Sequence, residues 1–148
     1  MSPSEATAHS IQLSDYSRDK AAKKKIFLAG VGAVGETFLR QVSGNASCSM
    51  IGLCNSRNVR WMDPSDYRTN GHSPDLELWK GEDLHWKSVI RKLTSFEAGS
   101  VVFVDTTGSL EVAELYGTLL SLGIHVVTPS KIANTRSQQQ FDELHELA

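Results

Sequence analysis

Disulfides, membrane anchors and one-sided charge are all missing from this sequence. Only two cysteines occur in 148 residues, Cys48 and Cys54. Both fall in one apolar run read as a strand. Six residues at roughly 3.3 Å each put them about 20 Å apart, far beyond disulfide reach, and they form no metal-ligand spacing. Free thiols fit a reducing compartment, so a cytoplasmic location is expected. No apolar run approaches the roughly 20 residues of a membrane span. The opening MSPSEATAHS lacks the apolar core of a secretory signal, and Glu5 and Asp15 argue against a transit peptide. Lys and Arg total 15 against 17 Asp and Glu, a net charge of −2. That balance gives no reason to expect a nucleic acid or a membrane as partner. The one basic cluster, Lys20 with Lys23, Lys24 and Lys25, reads as a solvated run leading into a strand. The five histidines, His9, His72, His85, His125 and His145, are scattered, so no metal site is expected. His125 reads as a strand residue with a satisfied ring.

Hydrophobic residues make up 40% and charged residues 22% of the chain, as in an ordinary soluble domain of this length. Residues 1–24 are polar and aperiodic and read as a disordered tail or linker; residues 25–148 read as one domain. Ile26-Phe27-Leu28-Ala29, Cys48 to Cys54, Val101-Val102-Phe103-Val104 and Ile124 to Val127 are apolar without polar alternation. That pattern suits strands buried on both faces of a parallel sheet. Between them Val34, Phe38, Leu39 and Val42 recur at helical spacing, and Ser43-Gly44-Asn45 stops that helix. Asp83 is placed to cap a second helix carrying Leu84, Val89, Ile90 and Leu93, and Ser109 a third that ends at Gly123. A last helix is expected from about Thr135 to Leu147. Asn55 to Gly81, with Pro64, Gly71 and Pro74, reads as irregular. Trp61, Trp79 and Trp86 are open between core, interface and partner contacts, with core expected for at least one. Strands alternating with helices predict an α/β fold with a parallel sheet flanked by helices.

Four places at the ends of those strands carry chemistry. Gly30-Val31-Gly32-Ala33-Val34-Gly35 follows a buried strand and opens an amphipathic helix, the context in which G-x-G-x-x-G binds a dinucleotide. Gly30 permits the tight turn, Gly32 lets a pyrophosphate approach the backbone, and Gly35 lets helix and strand pack closely. The helix start offers unpaired N–H groups to phosphate. This makes the sheet Rossmann-type, and the four clear strands, against about six in a full dinucleotide fold, suggest an incomplete nucleotide-binding domain. At the end of the second strand stand Asn55, Ser56 and Arg57, where an NAD site usually has a carboxylate for the ribose. Arg57 is either a bidentate partner for a 2′-phosphate or a solvated loop residue; the absence of a carboxylate favours NADP, with NAD the alternative. Thr106 and Thr107 follow the third strand and offer hydroxyl and backbone groups to the ribose or nicotinamide end, or else form a helix-start turn capped by Asp105. Lys131 follows the fourth strand, where a lysine can steady a carbonyl or alkoxide during hydride transfer or stand free on the surface.

FLAGVGAVG, GLCNSR, VVFVDTTGS and HVVTPSKIANT, in that order and spacing, resemble homoserine dehydrogenase, most closely the dehydrogenase part of the fused aspartokinase–homoserine dehydrogenases. The resemblance runs from Lys25 to the C-terminus. It implies reversible reduction of aspartate semialdehyde to homoserine with NAD(P), in the threonine and methionine branch of aspartate metabolism, by a homo-oligomeric full enzyme. It further implies that Gly30, Gly32, Ala33, Val34 and Gly35 bind the pyrophosphate, that Asn55, Ser56 and Arg57 meet the adenosine ribose, that Thr106 and Thr107 lie along the cofactor, and that Lys131 is an active-site lysine. Two positions depart from the family block: Ser130 stands where asparagine is usual, and Ile132 where the fused enzymes often have a second lysine. Family members continue through a substrate-binding segment, so this chain alone is expected to bind cofactor weakly and turn nothing over. Two other readings use the same glycines. One is another aspartate-pathway reductase, disfavoured because neither cysteine precedes a helix start and because of the HVVTP–K block. The other is a non-catalytic dinucleotide-sensing module.

Overall fold

The computed structural model describes residues 23–62 and 81–148. Nearly all of the expected tail lies outside these residues, as do Pro64, Gly71, His72, Pro74 and Trp79. The elements in chain order are β1 (Lys24–Ala29), α1 (Ala33–Val42), β2 (Cys48–Cys54), β3 (Asn58–Trp61), β4 (Glu82–Asp83), α2 (Trp86–Leu93), β5 (Val101–Asp105), α3 (Leu110–Ala113), α4 (Tyr116–Ser121), β6 (His125–Val127), a 3₁₀ turn (Ala133–Thr135) and α5 (Gln138–Leu147).

One sheet holds all six strands in the order β4-β3-β2-β1-β5-β6. The four apolar runs supply its parallel part: β1 pairs in parallel with both β2 and β5, and β5 with β6. Alternate residues of β1 serve opposite faces, which is why its apolar run is unbroken. Ile26 and Leu28 pack with Leu39 beneath α1. Phe27 and Ala29 pack with Val89, Leu93, Val112 and Leu119 beneath α2, α3 and α4. Phe27, Leu28 and Phe103 have no exposed surface, and each such burial stabilises by about 1.5–3 kcal/mol.

Two strands were not expected. β3 and β4 lie within or just beyond the stretch read as irregular and run antiparallel on the β2 edge. A strand of Asn-Val-Arg-Trp carries too little apolar signal to be read, and Glu82–Asp83 carries none. Asp83 pairs with Asn58 and does not cap α2. The extended backbone continues past it because the Leu84 N–H donates to the Arg57 carbonyl at 2.7 Å, so α2 begins after His85, with no side-chain cap.

The helix expected from Ser109 to Gly123 is two short helices, parted at Glu114 and Leu115, with Tyr116 opening the second. Ser109 is the N-cap residue of α3, but its side chain makes no capping bond. After α4 the Gly123 N–H donates to the Leu120 carbonyl and the Ile124 N–H to the Leu119 carbonyl, a Schellman ending. α5 begins after Ser137, whose hydroxyl accepts from the Gln140 N–H. His125 is a strand residue, as read, and opens β6 exposed.

Both described tryptophans of the three are half-buried and pack against the core. Trp61 meets Phe27 tilted at 5.3 Å, Phe27 stacks on Phe103 at 5.6 Å, and Trp86 meets Phe103 tilted at 6.1 Å between ring centroids. This aromatic row crosses β2 at Gly52, where a Cβ would stand 2.8 Å from the Trp61 ring and 3.0 Å from Phe27. Gly52 is the gap that lets the two rings meet.

Candidate cofactor-binding site

The chain leaves β1 toward β2 on one side, and leaves β5 toward β6 on the other. Strand direction of travel therefore reverses between β1 and β5, and in open α/β sheets ligands bind outside the carboxyl ends of strands at such a point. Gly30 and Thr106 are the residues that emerge there.

The glycine turn is built around the Gly30 carbonyl. Gly30 has φ +96°, a region side chains avoid, and its N–H donates to the Cys54 carbonyl at 2.9 Å. Its own oxygen accepts the Thr106 hydroxyl at 2.9 Å, which also reaches the Ala29 oxygen at 3.2 Å. A Cβ on Gly35 would fall 2.1 Å from that Gly30 oxygen, so Gly35 admits no side chain. Gly32 is the opposite case: a Cβ there meets nothing within 4 Å. It is the N-cap of α1, and the first helical bond is Glu36 N–H to Gly32 oxygen. The N–H groups of Ala33, Val34 and Gly35 thus have no partner within the helix, and they open beside the empty space over Gly32.

A cleft lies on each flank of this turn. The first, about 440 Å³, is walled by Gly30 to Gly32, by Asn55 and Ser56, by Leu84 and Trp86, and by Thr106, Thr107 and Glu111. The second, about 530 Å³, is walled by Ala33 and Val34 of α1, by Thr106, and by Val127, Thr128 and Pro129 after β6. Thr106 borders both. The strand ends named in the sequence reading are therefore brought together, with three qualifications. The Asn55 side-chain oxygen accepts from the N–H groups of Arg57 and Asn58, at 2.8 and 2.7 Å, so it shapes its own turn. Arg57 is exposed just past that wall. Lys131 is exposed at the head of the 3₁₀ turn, with its carbonyl accepting from Asn134 and Thr135.

The structure corrects the expectation that Asp105 caps a helix start. It ends β5 wholly buried. Its carboxylate accepts from the Thr107 N–H at 2.7 Å and hydroxyl at 2.6 Å, and from the Tyr116 hydroxyl. The helix itself starts only at Leu110. Tyr116 is the partner of Asp105 that sequence reading missed. Burial, and then its hydrogen bond to Asp105, push its phenol pKa well above the ordinary value. The available signal was a carboxylate closing a fully apolar run, a group that must find donors inside the fold.

Cys54 closes β2 beneath the first cleft, and burial pushes its thiol up to about 12, against a lowering from the Gly30 backbone hydrogen bond. Cys48 and Cys54 are the two ends of β2, as expected, and both are free. Among the described residues no three His, Cys, Asp or Glu side chains gather as a metal site, and no helix is long and apolar enough to cross a membrane. At the two departures from the family block, the Ser130 hydroxyl accepts from the Ile132 N–H at 3.3 Å, and Ile132 packs against the core.

Residues 30–148 match the family model of the homoserine dehydrogenase NAD-binding domain. A bifunctional aspartokinase/homoserine dehydrogenase of Haemophilus influenzae is 34% identical over 137 residues, covering 83% of this chain and 16% of that protein. The homoserine dehydrogenase structure from Thermoplasma acidophilum superposes with a TM-score of 0.62 at 21% identity, over 84% of this chain and 41% of that one. A hyperthermophilic archaeal homoserine dehydrogenase in complex with NADPH gives 0.59 at 21%, over 85% and 40%. At that identity the two structures speak for the fold. The chain thus spans about a sixth of the curated relative's length and about two fifths of each of these structures, and it belongs to the homoserine dehydrogenase NAD-binding domain family.

Proposed function

We propose that residues 25–148 form the cofactor-binding domain of a homoserine dehydrogenase-like oxidoreductase that uses NADP in preference to NAD. The observation that carries this reading is the open space over Gly32, beside three unpartnered N–H groups and at the reversal of the sheet. That cradle fits a pyrophosphate. The apolar wall of Leu84 and Trp86, with Asn55 and Ser56 opposite, suits an adenosine, and the cleft beside Thr128 and Pro129 suits the nicotinamide half. Arg57 stands free to pair with a 2′-phosphate, and no carboxylate at Asn55, Ser56 or Arg57 repels one.

The nicotinamide supplies hydride chemistry when bound; the domain supplies binding and orientation. Gly30, Gly32, Ala33, Val34 and Gly35 hold the phosphates through backbone. Thr106 locks the turn that presents them, and Thr107 steadies the loop along the cofactor. Lys131 is the catalytic candidate: its ammonium would offset negative charge developing on the substrate oxygen. The substrate pair is aspartate semialdehyde and homoserine, in threonine and methionine biosynthesis in the cytoplasm, and the full enzyme is a homo-oligomer. By itself this chain binds cofactor and turns nothing over.

Calorimetric titration with NADPH and NADH tests the reading. Binding of NADPH that Gly32→Val abolishes supports it. A folded chain that binds neither cofactor up to millimolar concentration overturns it for this chain.

A further inference from the structure

The first cleft is proposed to take the adenosine of a polyanion, yet its own charge is negative. Of the described residues that wall it, Glu111 alone carries a formal charge. Glu111 is the second residue of α3 and is exposed. Among the described residues it enters no ion pair; Glu114, one turn further on, is the acid that takes Arg136.

Most other polar side chains of this wall are engaged with the protein itself. The Asn55 side-chain oxygen accepts from the Arg57 and Asn58 N–H groups. The Thr106 hydroxyl donates to the Gly30 carbonyl, and the Thr107 hydroxyl to Asp105. Ser56, Ser109 and Glu111 complete the polar set. Of these, only the Glu111 carboxylate accepts without being able to donate.

A carboxylate beside a polyanion repels it, unless it accepts a hydrogen bond from that same ligand. The adenosine end of a dinucleotide has two kinds of donor: ribose hydroxyls and the exocyclic amine of the base. On the cofactor reading, the ribose lies against Asn55 and Ser56, at the end of β2. Glu111 stands across the cleft, beyond the end of β5, with β1 between the two strands in the sheet. The donor that extends away from the ribose is the amine.

We infer that Glu111 is a specificity-determining residue of the cofactor cleft: its carboxylate accepts the exocyclic amine of an adenine base. This rests on the cofactor reading and adds to it the identity of the base.

Calorimetric titration of the full chain with NADP and with its etheno analogue tests it. In the analogue a carbon bridge closes the exocyclic nitrogen onto the ring, so the base keeps its flat face and has no exocyclic N–H. Glu111→Met keeps the length of the side chain and removes the acceptor. The preference for NADP over the analogue is expected to be about tenfold smaller in Glu111→Met than in the wild type, the effect of one hydrogen bond to a charged group. Comparing preferences cancels the bulk of the bridge, which both proteins meet, and the relief of repulsion, which both ligands gain. Glu111→Gln keeps an acceptor oxygen and is expected to fall between the two. An acid in the first turn of a helix also steadies that helix; such a role shifts the urea midpoint of Glu111→Met and leaves the preference alone.

An unchanged preference in Glu111→Met overturns the inference and leaves the cofactor reading standing. If both ligands weaken together, the carboxylate meets a ribose hydroxyl and not the base. A folded wild-type chain that binds neither ligand up to millimolar concentration refutes the cofactor reading, and the inference falls with it.

Discussion

The carbonyl oxygen of Gly30 occupies the place a side chain on Gly35 would need, 2.1 Å from the ideal Cβ position. The obstruction is backbone held by the Thr106 hydroxyl, so it cannot swing aside. Gly35→Ala is expected to destabilise the fold by about 2–3 kcal/mol, the range of an overpacked core. Gly32→Ala, with open space around it, is expected to change stability by no more than about 1 kcal/mol. Urea unfolding of the two variants checks the contrast; similar losses for both would contradict it.

Gly52 offers a second test of close approach. Gly52→Ala drives a methyl against Trp61 and Phe27, at an expected cost of about 1–3 kcal/mol. Trp61→Leu in the same chain gives that methyl room, so the double variant should be more stable than the sum of the single losses allows. A double-mutant cycle measures the coupling, and strict additivity would show that the contact is not the cause.

Alkaline stability follows from Cys54 and Tyr116. Both folded-state pKa values lie above those of the unfolded chain. Between the two values the unfolded state has released a proton that the folded state keeps, so stability falls as pH rises through that window. For Cys54 the window runs from 9.0 to about 12, worth at most about 4 kcal/mol at about 1.36 kcal/mol per pH unit. Cys54→Ala should flatten the fall in urea midpoint between about pH 9 and 11. The same burial makes Cys48, the half-buried cysteine, the faster to react with a thiol reagent at pH 8.

Arg57 is exposed, and an exposed ion pair is screened by salt. Arg57→Ala is expected to weaken NADPH binding by about tenfold at low ionic strength, one charge-assisted contact, and to leave NADH nearly unchanged. The preference should shrink for the wild-type chain near 1 M salt, where the screening length is about 3 Å. Titration of both cofactors at two salt concentrations checks it. Equal losses for NADPH and NADH would place Arg57 away from the 2′ position.

Much of this architecture can be read from composition along the chain. The four parallel strands are runs with no polar alternation, and the glycine turn stands directly after one of them. What escaped reading depends on pairing rather than on local pattern. Asn58 to Trp61 becomes a strand because the β2 edge offers it a ladder, and Asp83 lies in another because β3 does. Nothing in either segment announces that. Asp105 and Tyr116 are eleven positions apart and meet only once β5 and α4 have folded against each other. Their partnership is invisible to helical or strand periodicity, although an acid at the end of Val101-Val102-Phe103-Val104 does signal that some donor must be found. Asn55, Thr106 and Thr107 line the first cleft, and periodicity does not announce that their side chains also bond the protein's own backbone and carboxylate.

The glycine turn stands between two clefts that share little more than Thr106. One wall set comes from the end of β2, Leu84, α2 and the start of α3, the other from α1, Val104 and the end of β6. Substitutions that retune one end of a bound molecule therefore need not disturb the other, because no side chain but that of Thr106 serves both. On the proposed reading, a fold divided in this way would let the choice between related dinucleotides drift separately from the reacting end, while the main-chain turn between the two stays unchanged.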